Sequence, residues 1–382
     1  MHWLAFGTYD TRSHPRVAVL LEGIRAGGDT LDEVNVPLGL QTVQRVELLR
    51  RPWRLPQLIG RLASAWVRLS VRGRATARRT RPDAVLVGYL GHFDIWLAKV
   101  LFRDTPIVLD HLVSAAGTAQ DRGLASHGGV KMRLLRYLDR AALARADVII
   151  VDTSERAADL PEGARERAVV VPVGATHEWF DLGRRVLEHP EQPSHHGPVR
   201  VVFVGLFTPL HGSRTIGEAL ALLAGDEDIE VTMVGTGQDY AACRAAAASN
   251  PRVTWLGWVT ADVLPGLVAG HDISLGIVGT TEKAREVVPT KVFQAAAAGC
   301  AVITSDTAPQ RRALGDAAVY VPAGDATALA QAVRRLAQDP ARLHRVRRAA
   351  ATHAAEHHTP LAVTAPLRTA MAALLPRSRA AR

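Results

Sequence analysis

The sequence predicts an α/β chain of two Rossmann-like, doubly wound domains facing a cleft. Three observations lead there. Short apolar runs alternate with helix-length patterns along nearly the whole chain, the signature of parallel sheets covered on both faces. The alternation breaks once, between Glu178 and Pro198, where Pro190, Pro193, Gly197, Pro198 and a polar run read as an interdomain linker. The length of 382 residues exceeds one ordinary domain and suits two. The expected division is 1–185, 186–359, and a C-terminal helix over 360–382 that crosses back to the first domain.

Each element follows from its local pattern. Trp3 to Phe6 is a buried strand that meets Gly7, and a helix follows from Pro15 to Ala26. Further strands are expected at Ala84–Gly88, Ile107–Leu109, Val148–Val151 and Val169–Pro172. After the linker the pattern restarts with Val199–Val204, Gly205 and a helix from Ser213 to Leu223. Strands then follow at Glu230–Val234, Val253–Leu256, Ile273–Ile277, Ala301–Thr304 and Ala318–Val321, each with a helix behind it. The last helical pattern runs from Pro360 to Leu375. Ligands of such sheets sit at the carboxyl ends of the strands.

Composition narrows the partners less than the pattern does. The formal charge is +9, and only four lysines contribute to it, the rest being arginine. A basic balance suits nucleic acid, an anionic membrane surface or simple coding bias. No helix-turn-helix, zinc finger or aromatic-bearing basic sheet is recognisable, which weighs against nucleic acid. The two cysteines, Cys243 and Cys300, have no metal-like spacing and form no framework. The N-terminus lacks the pattern of a signal peptide, and no run is long and apolar enough to span a bilayer, so the expected location is cytoplasmic, either free or peripheral on the inner membrane face.

The segment from Thr281 to Asp306 carries the chemistry. A strand end is followed by a loop with Lys283 and Arg285, then Pro289, and a helix opening with Thr290 and Lys291 that Gly299 closes. Half of the chain's four lysines fall here. A helix N-terminus offers unpaired amides and a partial positive charge, so this is a seat for a diphosphate. The other reading is a solvated charged loop before a helix.

This segment resembles the donor-binding motif of family 4 glycosyltransferases, retaining enzymes of the GT-B fold, in the branch with Pro-Asn/Thr-Lys-Val-Phe-Gln. The resemblance rests on Glu286, the run Pro289-Thr-Lys-Val-Phe-Gln294, Ala298-Gly299 and Val302 to Asp306. It implies that Glu286 contacts the donor sugar and that Gln294, where the family has a second glutamate, meets the ribose without charge assistance. It extends to Phe203-Val-Gly-Leu-Phe-Thr-Pro-Leu-His-Gly212. There Gly205 and His211 border the diphosphate, while Leu206 and His211 stand where Arg and Lys are usual; His carries only part of a charge near neutrality. Val253 to Thr260 resembles the turn against which the base packs, with Gly257 allowing close approach; Trp258 is either part of that turn or core.

In the first domain the resemblance is fainter. It places Gly7 and the loop to Arg12 beside the phosphates, Asp110 and His111 at the reaction centre, and Asp121 and Arg122 toward the acceptor; helix capping is the other reading for Asp110. The implied activity is transfer of a sugar from a nucleoside-diphosphate sugar to an acceptor hydroxyl with retention, needing no cofactor beyond the nucleotide sugar and no metal. A small-molecule or lipid-linked acceptor follows. The alternatives are a sugar-nucleotide epimerase on the same scaffold and a non-enzymatic nucleic-acid-binding protein. Finally, Arg45 to Arg81 holds eleven arginines and one acid, Glu47, with Leu55, Leu58, Ile59, Leu62, Trp66 and Leu69 at helical spacing. This stretch is either a core-facing helix with a basic solvent face or a peripheral contact with anionic membrane.

Overall fold

The structure, a computed structural model, describes residues 1–11, 14–39, 55–89, 91–112, 114–121, 129–188 and 197–380. They fall into two compact units, Met1–Pro172 with Pro360–Arg382, and Val173–Thr359. Each holds one six-stranded parallel sheet flanked by helices.

In the first unit the strands are β1 (His2–Gly7), β2 (Thr30–Asn35), β3 (Ala84–Val87), β4 (Ile107–Asp110), β5 (Val148–Val151) and β6 (Ala168–Val170), ordered β2-β1-β3-β4-β5-β6. Strands β3, β4 and β5 are buried at every residue, which is why they read as apolar runs, broken only by Asp110 at the end of β4. Strand β2 has no such run: only Val34 is buried at this edge, and the sequence gives little sign of it. The C-terminal helices Pro360–Val363 and Ala365–Ala380 pack on this unit, with Leu367 and Met371 in the same core as Trp3, Val17 and Ile24. Helix Pro15–Ala26 can approach them because Gly23 has no side chain; a Cβ there would lie 2.2 Å from the Pro360 carbonyl oxygen.

Helix Leu55–Thr80 buries Ala65, Leu69 and Gly73 and leaves Ile59 64% exposed, so Ile59 is not on the inner face. The part of the basic stretch over 45–54 lies outside the described residues, as do Arg12 and Arg122.

In the second unit the strands are β7 (Val199–Val204), β8 (Ile229–Val234), β9 (Val253–Leu256), β10 (Ile273–Leu275), β11 (Ala301–Ser305) and β12 (Val319–Val321). Their order β12-β11-β10-β7-β8-β9 reverses direction between β7 and β10, the arrangement of a dinucleotide-binding sheet. In sheets of this kind ligands bind at such a reversal, beyond the carboxyl ends of the two strands.

The first part of the expected linker is helical. Residues His177–Glu188 form a helix of this second unit, with Trp179 buried. Gly183 is the reason for its close docking: a Cβ there would lie 1.9 Å from the Ala297 carbonyl oxygen. The proline-rich part of the expected linker, 189–196, lies outside the described residues. The units therefore part at Pro172 and Val173, where the sequence pattern had suggested 185–186.

Candidate functional site

The carboxyl end of β7 leads into Gly205, a short turn Pro209–His211, and Gly212, which caps helix Ser213–Leu222 at φ +66°. Gly212 and Gly279 lie against each other's loops: a Cβ on Gly212 would meet the Gly279 amide nitrogen at 2.7 Å, and one on Gly279 the Leu210 carbonyl oxygen at 2.3 Å. Two glycines here let the loop after β7 and the loop after β10 interlock. His211 is buried, its Nδ1 is 3.2 Å from the Thr208 hydroxyl, and its ring stands edge-on to Phe203.

The segment after β10 differs from the expected loop. Glu282–Glu286 is a short helix capped by Thr281, whose hydroxyl accepts from the Ala284 amide at 3.2 Å. Glu286 closes it, half-buried; Lys283 is half-buried and Arg285 exposed. Pro289 then caps helix Thr290–Ala297, whose first turn presents Thr290 and Lys291, with Gln294 buried one turn on.

Lys291 is the unusual member. Its side chain is 9% exposed, and Nζ is buried with no hydrogen-bond partner. It lies 3.6 Å from the centroid of the Phe203 ring. Burial pushes its pKa well below the usual lysine value. A Cβ on Gly205 would sit 3.3 Å from Lys291 Nζ and 3.2 Å from His211 Cε1, so the bare glycine leaves these two side chains facing one backbone position. Phe203, the floor beneath Lys291, went unnoticed in the sequence because an aromatic inside a strand reads as core. The buried Ser213 hydroxyl, at the start of the next helix, also lacks a partner. Buried polar groups are ordinarily satisfied, and these two are exceptions that lie at helix N-termini. In the loop after β9, Gly257 has open space where its Cβ would be, and Trp258 is 60% exposed, which removes the core reading for Trp258.

In the first unit, Asp94 holds Thr8, the residue after Gly7. The Asp94 carboxylate accepts from the Thr8 amide and hydroxyl, both at 2.7 Å, and from Trp66 Nε1. Asp110 ends β4 but is buried rather than open: Arg16 Nε donates to it at 3.3 Å, and Arg16 also donates to the Pro172 carbonyl. Burial raises the Asp110 pKa despite the Arg16 charge. Asp152, just past β5, is likewise buried, with its pKa raised to about 6 by the loss of solvent. Arg16 had no signal in the sequence, since a buried arginine on a helix cannot be told from a solvated one.

His111, next to Asp110, is buried with Nδ1 unpartnered, and burial together with repulsion from His92 lowers its pKa to about 3, leaving a neutral imidazole. The His92 ring lies 5.4 Å from it, and His92 Nε2 pairs with Asp139 at 2.8 Å. Asp139 also accepts from Ser114 Oγ and from the Ala115 and Ala116 amides, so one carboxylate pins the loop that carries His111. Burial opposes its ionisation, but the His92 bond and the two amides outweigh it and hold its pKa low. Asp121 ends helix Ala115–Asp121.

Comparison with known proteins gives a family match for part of the chain and a likeness of fold for the whole. Residues 198–339 match the family described as Glycosyl transferases group 1. No curated protein sequence matches the chain. Among solved structures it resembles sucrose-phosphate synthase from Thermosynechococcus elongatus, at 17% identity over 100% of both chains and a TM-score of 0.68. It also resembles Anabaena HepE in complex with UDP-glucose, at 14% identity over 99% of this chain and 100% of that one, TM-score 0.63. A third likeness is UDP-GlcNAc 2-epimerase from Neisseria meningitidis, at 12% identity over 98% and 100%, TM-score 0.51. At such identities the structural likeness speaks for the two-sheet fold, and the sequence match speaks for the second unit. The chain thus carries a group 1 glycosyltransferase domain in its second unit, and with it the enzyme class of a glycosyltransferase.

Proposed function

We propose that the protein transfers a sugar from a nucleoside-diphosphate sugar to an acceptor hydroxyl, with retention of configuration. The observation that carries this is Lys291: a buried amine without a partner, facing Gly205 and His211 at the sheet's reversal point. A diphosphate seated there would give the amine its counter-charge, raise its lowered pKa again, and take hydrogen bonds from the first-turn amides of helices Ser213–Leu222 and Thr290–Ala297. The same groups would stabilise the diphosphate as it leaves, the largest kind of contribution a site can make. In this reading protein groups carry that charge, with no metal assigned a part. Gln294 serves the ribose, Glu286 the sugar, Lys283 and Arg285 the approach of the anion, and the open space at Gly257 the base.

In the first unit the reading assigns the reactive part to neutral His111 and a supporting part to Asp110, which is locked to Arg16. UDP is the first nucleotide to test, since HepE is described with UDP-glucose and the epimerase with UDP-GlcNAc. Calorimetry with UDP and other nucleoside diphosphates is the direct experiment, followed by product NMR of the new glycosidic bond. Failure of every nucleoside diphosphate to bind would overturn the reading; an epimerised donor formed without acceptor would replace it with the epimerase. A second assignment concerns the basic helix Leu55–Thr80. It exposes Ile59, Val67 and Val71 beside Arg61, Arg68, Arg72 and Arg79, and we assign it to peripheral contact with anionic lipid that carries the acceptor. Among the described residues no helix is long and apolar enough to cross a membrane.

A further inference from the structure

His92 lies in the loop between β3 and helix Asp94–Leu101, and Asp139 on helix Val130–Leu143. Both are buried, with His92 Nε2 2.8 Å from Asp139 Oδ1. Burial opposes the charge on Asp139, but the His92 bond and two amides outweigh it and hold its pKa at about 2. The carboxylate therefore only accepts, and His92 Nε2 carries the hydrogen.

Stability alone does not account for this pair. Ser114 Oγ and the Ala115 and Ala116 amides donate to Asp139 through contacts of their own. Burying an imidazole costs free energy that an apolar side chain of similar size would avoid. What the imidazole adds is a ring held in plane by its bond to the carboxylate. That ring stands edge-on to the ring of His111, with centroids 5.4 Å apart and planes at 61°. The backbone of His111 is tied to β5, its amide donating to the Ile150 carbonyl at 2.9 Å. Its side-chain Nδ1, by contrast, is buried without a hydrogen bond to orient it.

We propose that His92, clamped by Asp139, is a positioning residue that sets the plane of the His111 imidazole for the transfer reaction. This rests on the reading of His111 as the reactive group of the first unit. Asp139 fixes His111 from two sides, through the His92 ring and through the Ser114–Ala116 backbone just beyond it. The clamp also acts on charge. Burial is the main cause of the lowered His111 pKa and repulsion from His92 the next; Asp139 opposes them, and Arg156 on helix Ser154–Ala158 adds to them. A neutral His111 can donate at one nitrogen and accept at the other.

The test is His92→Gln in the full chain. The glutamine amide nitrogen can stand where Nε2 stood and keep the bond to Asp139, while the ring is gone. Histidine-labelled protein is followed by long-range proton–nitrogen NMR, with His111→Ala identifying the His111 signals. In the wild type, His111 should show one neutral tautomer, with two well-separated nitrogen shifts, from about pH 5 to 8. In His92→Gln those shifts should converge as the freed ring samples both environments, and the titration midpoint should rise by about one unit or more. Asp139→Asn, which loosens the His92 ring without removing it, should also make the shifts converge. Circular dichroism and UDP affinity should stay those of the wild type in His92→Gln. His111 spectra unchanged in both variants, or a wild-type His111 that already averages its tautomers, overturn the clamp. Turnover of UDP-glucose is read alongside: His111→Ala working at the wild-type rate overturns the reactive reading of His111, and with it the purpose of the clamp, whatever the spectra show.

Discussion

Lys291→Met deletes one amine and keeps the length of the side chain. In the unliganded protein Nζ is buried without a partner against the Phe203 ring. Such a group costs about 1–3 kcal/mol. The variant should therefore be more stable than the wild type by about that amount, which raises the melting midpoint by roughly 2–12 °C at about 2–4 °C per kcal/mol. Nucleotide binding should move the other way. Losing one charge-assisted bond to a diphosphate removes about 1.5–3 kcal/mol, so UDP should bind roughly 10- to 150-fold more weakly. Denaturant melts and calorimetry measure the two effects on the same samples. The opposite signs make the test sharp, since a merely structural lysine would show loss of stability with no loss of binding. A destabilised variant, or one that binds UDP like the wild type, refutes the reasoning. The wild type should also take up a proton on binding. Burial lowers the amine's pKa in the free protein and the diphosphate raises it again, so between those values affinity falls as pH rises.

Three further outcomes follow from the same geometry. Gly205→Ala would place a methyl 3.2 Å from both His211 and Phe203 and 3.3 Å from Lys291; it should weaken UDP binding several-fold in calorimetry and lower stability by about 1–3 kcal/mol in denaturant melts. Asp139→Ala should lower the stability of the first unit by about 3–5 kcal/mol, because it orphans His92, Ser114 and two helix amides at once; urea melts followed at a first-unit probe read this. Asp152 has a folded pKa raised to about 6, above the unfolded value of about 3.9. The folded state therefore holds its proton more tightly, and stability falls as pH rises through that window by up to about 3 kcal/mol. Asp152→Asn should remove that part of the pH dependence and be the more stable protein at pH 7; an unchanged slope of stability against pH would count against it.

Much of this protein is written locally in its sequence. The strand Val199–Val204 and the helix Pro15–Ala26 can be read without neighbours, because buried parallel strands need continuous apolar runs and helices need a 3.6-residue period. The donor segment is legible for the same reason, its proline, lysine and glycine acting within one turn of their own helix. Tertiary contact decided the rest. Edge strand β2 carries no apolar run and exists by pairing with β1 along His2 to Gly7. Helix His177–Glu188 looked like linker because its polar face dominates, and only the seat made by Gly183 against Ala297 draws it into the second unit. Above all, the states of Lys291 and Asp110 depend on Phe203 and Arg16, which lie far away in the chain. A side chain's charge is set by the dielectric and partners that folding brings to it, and no local pattern encodes those.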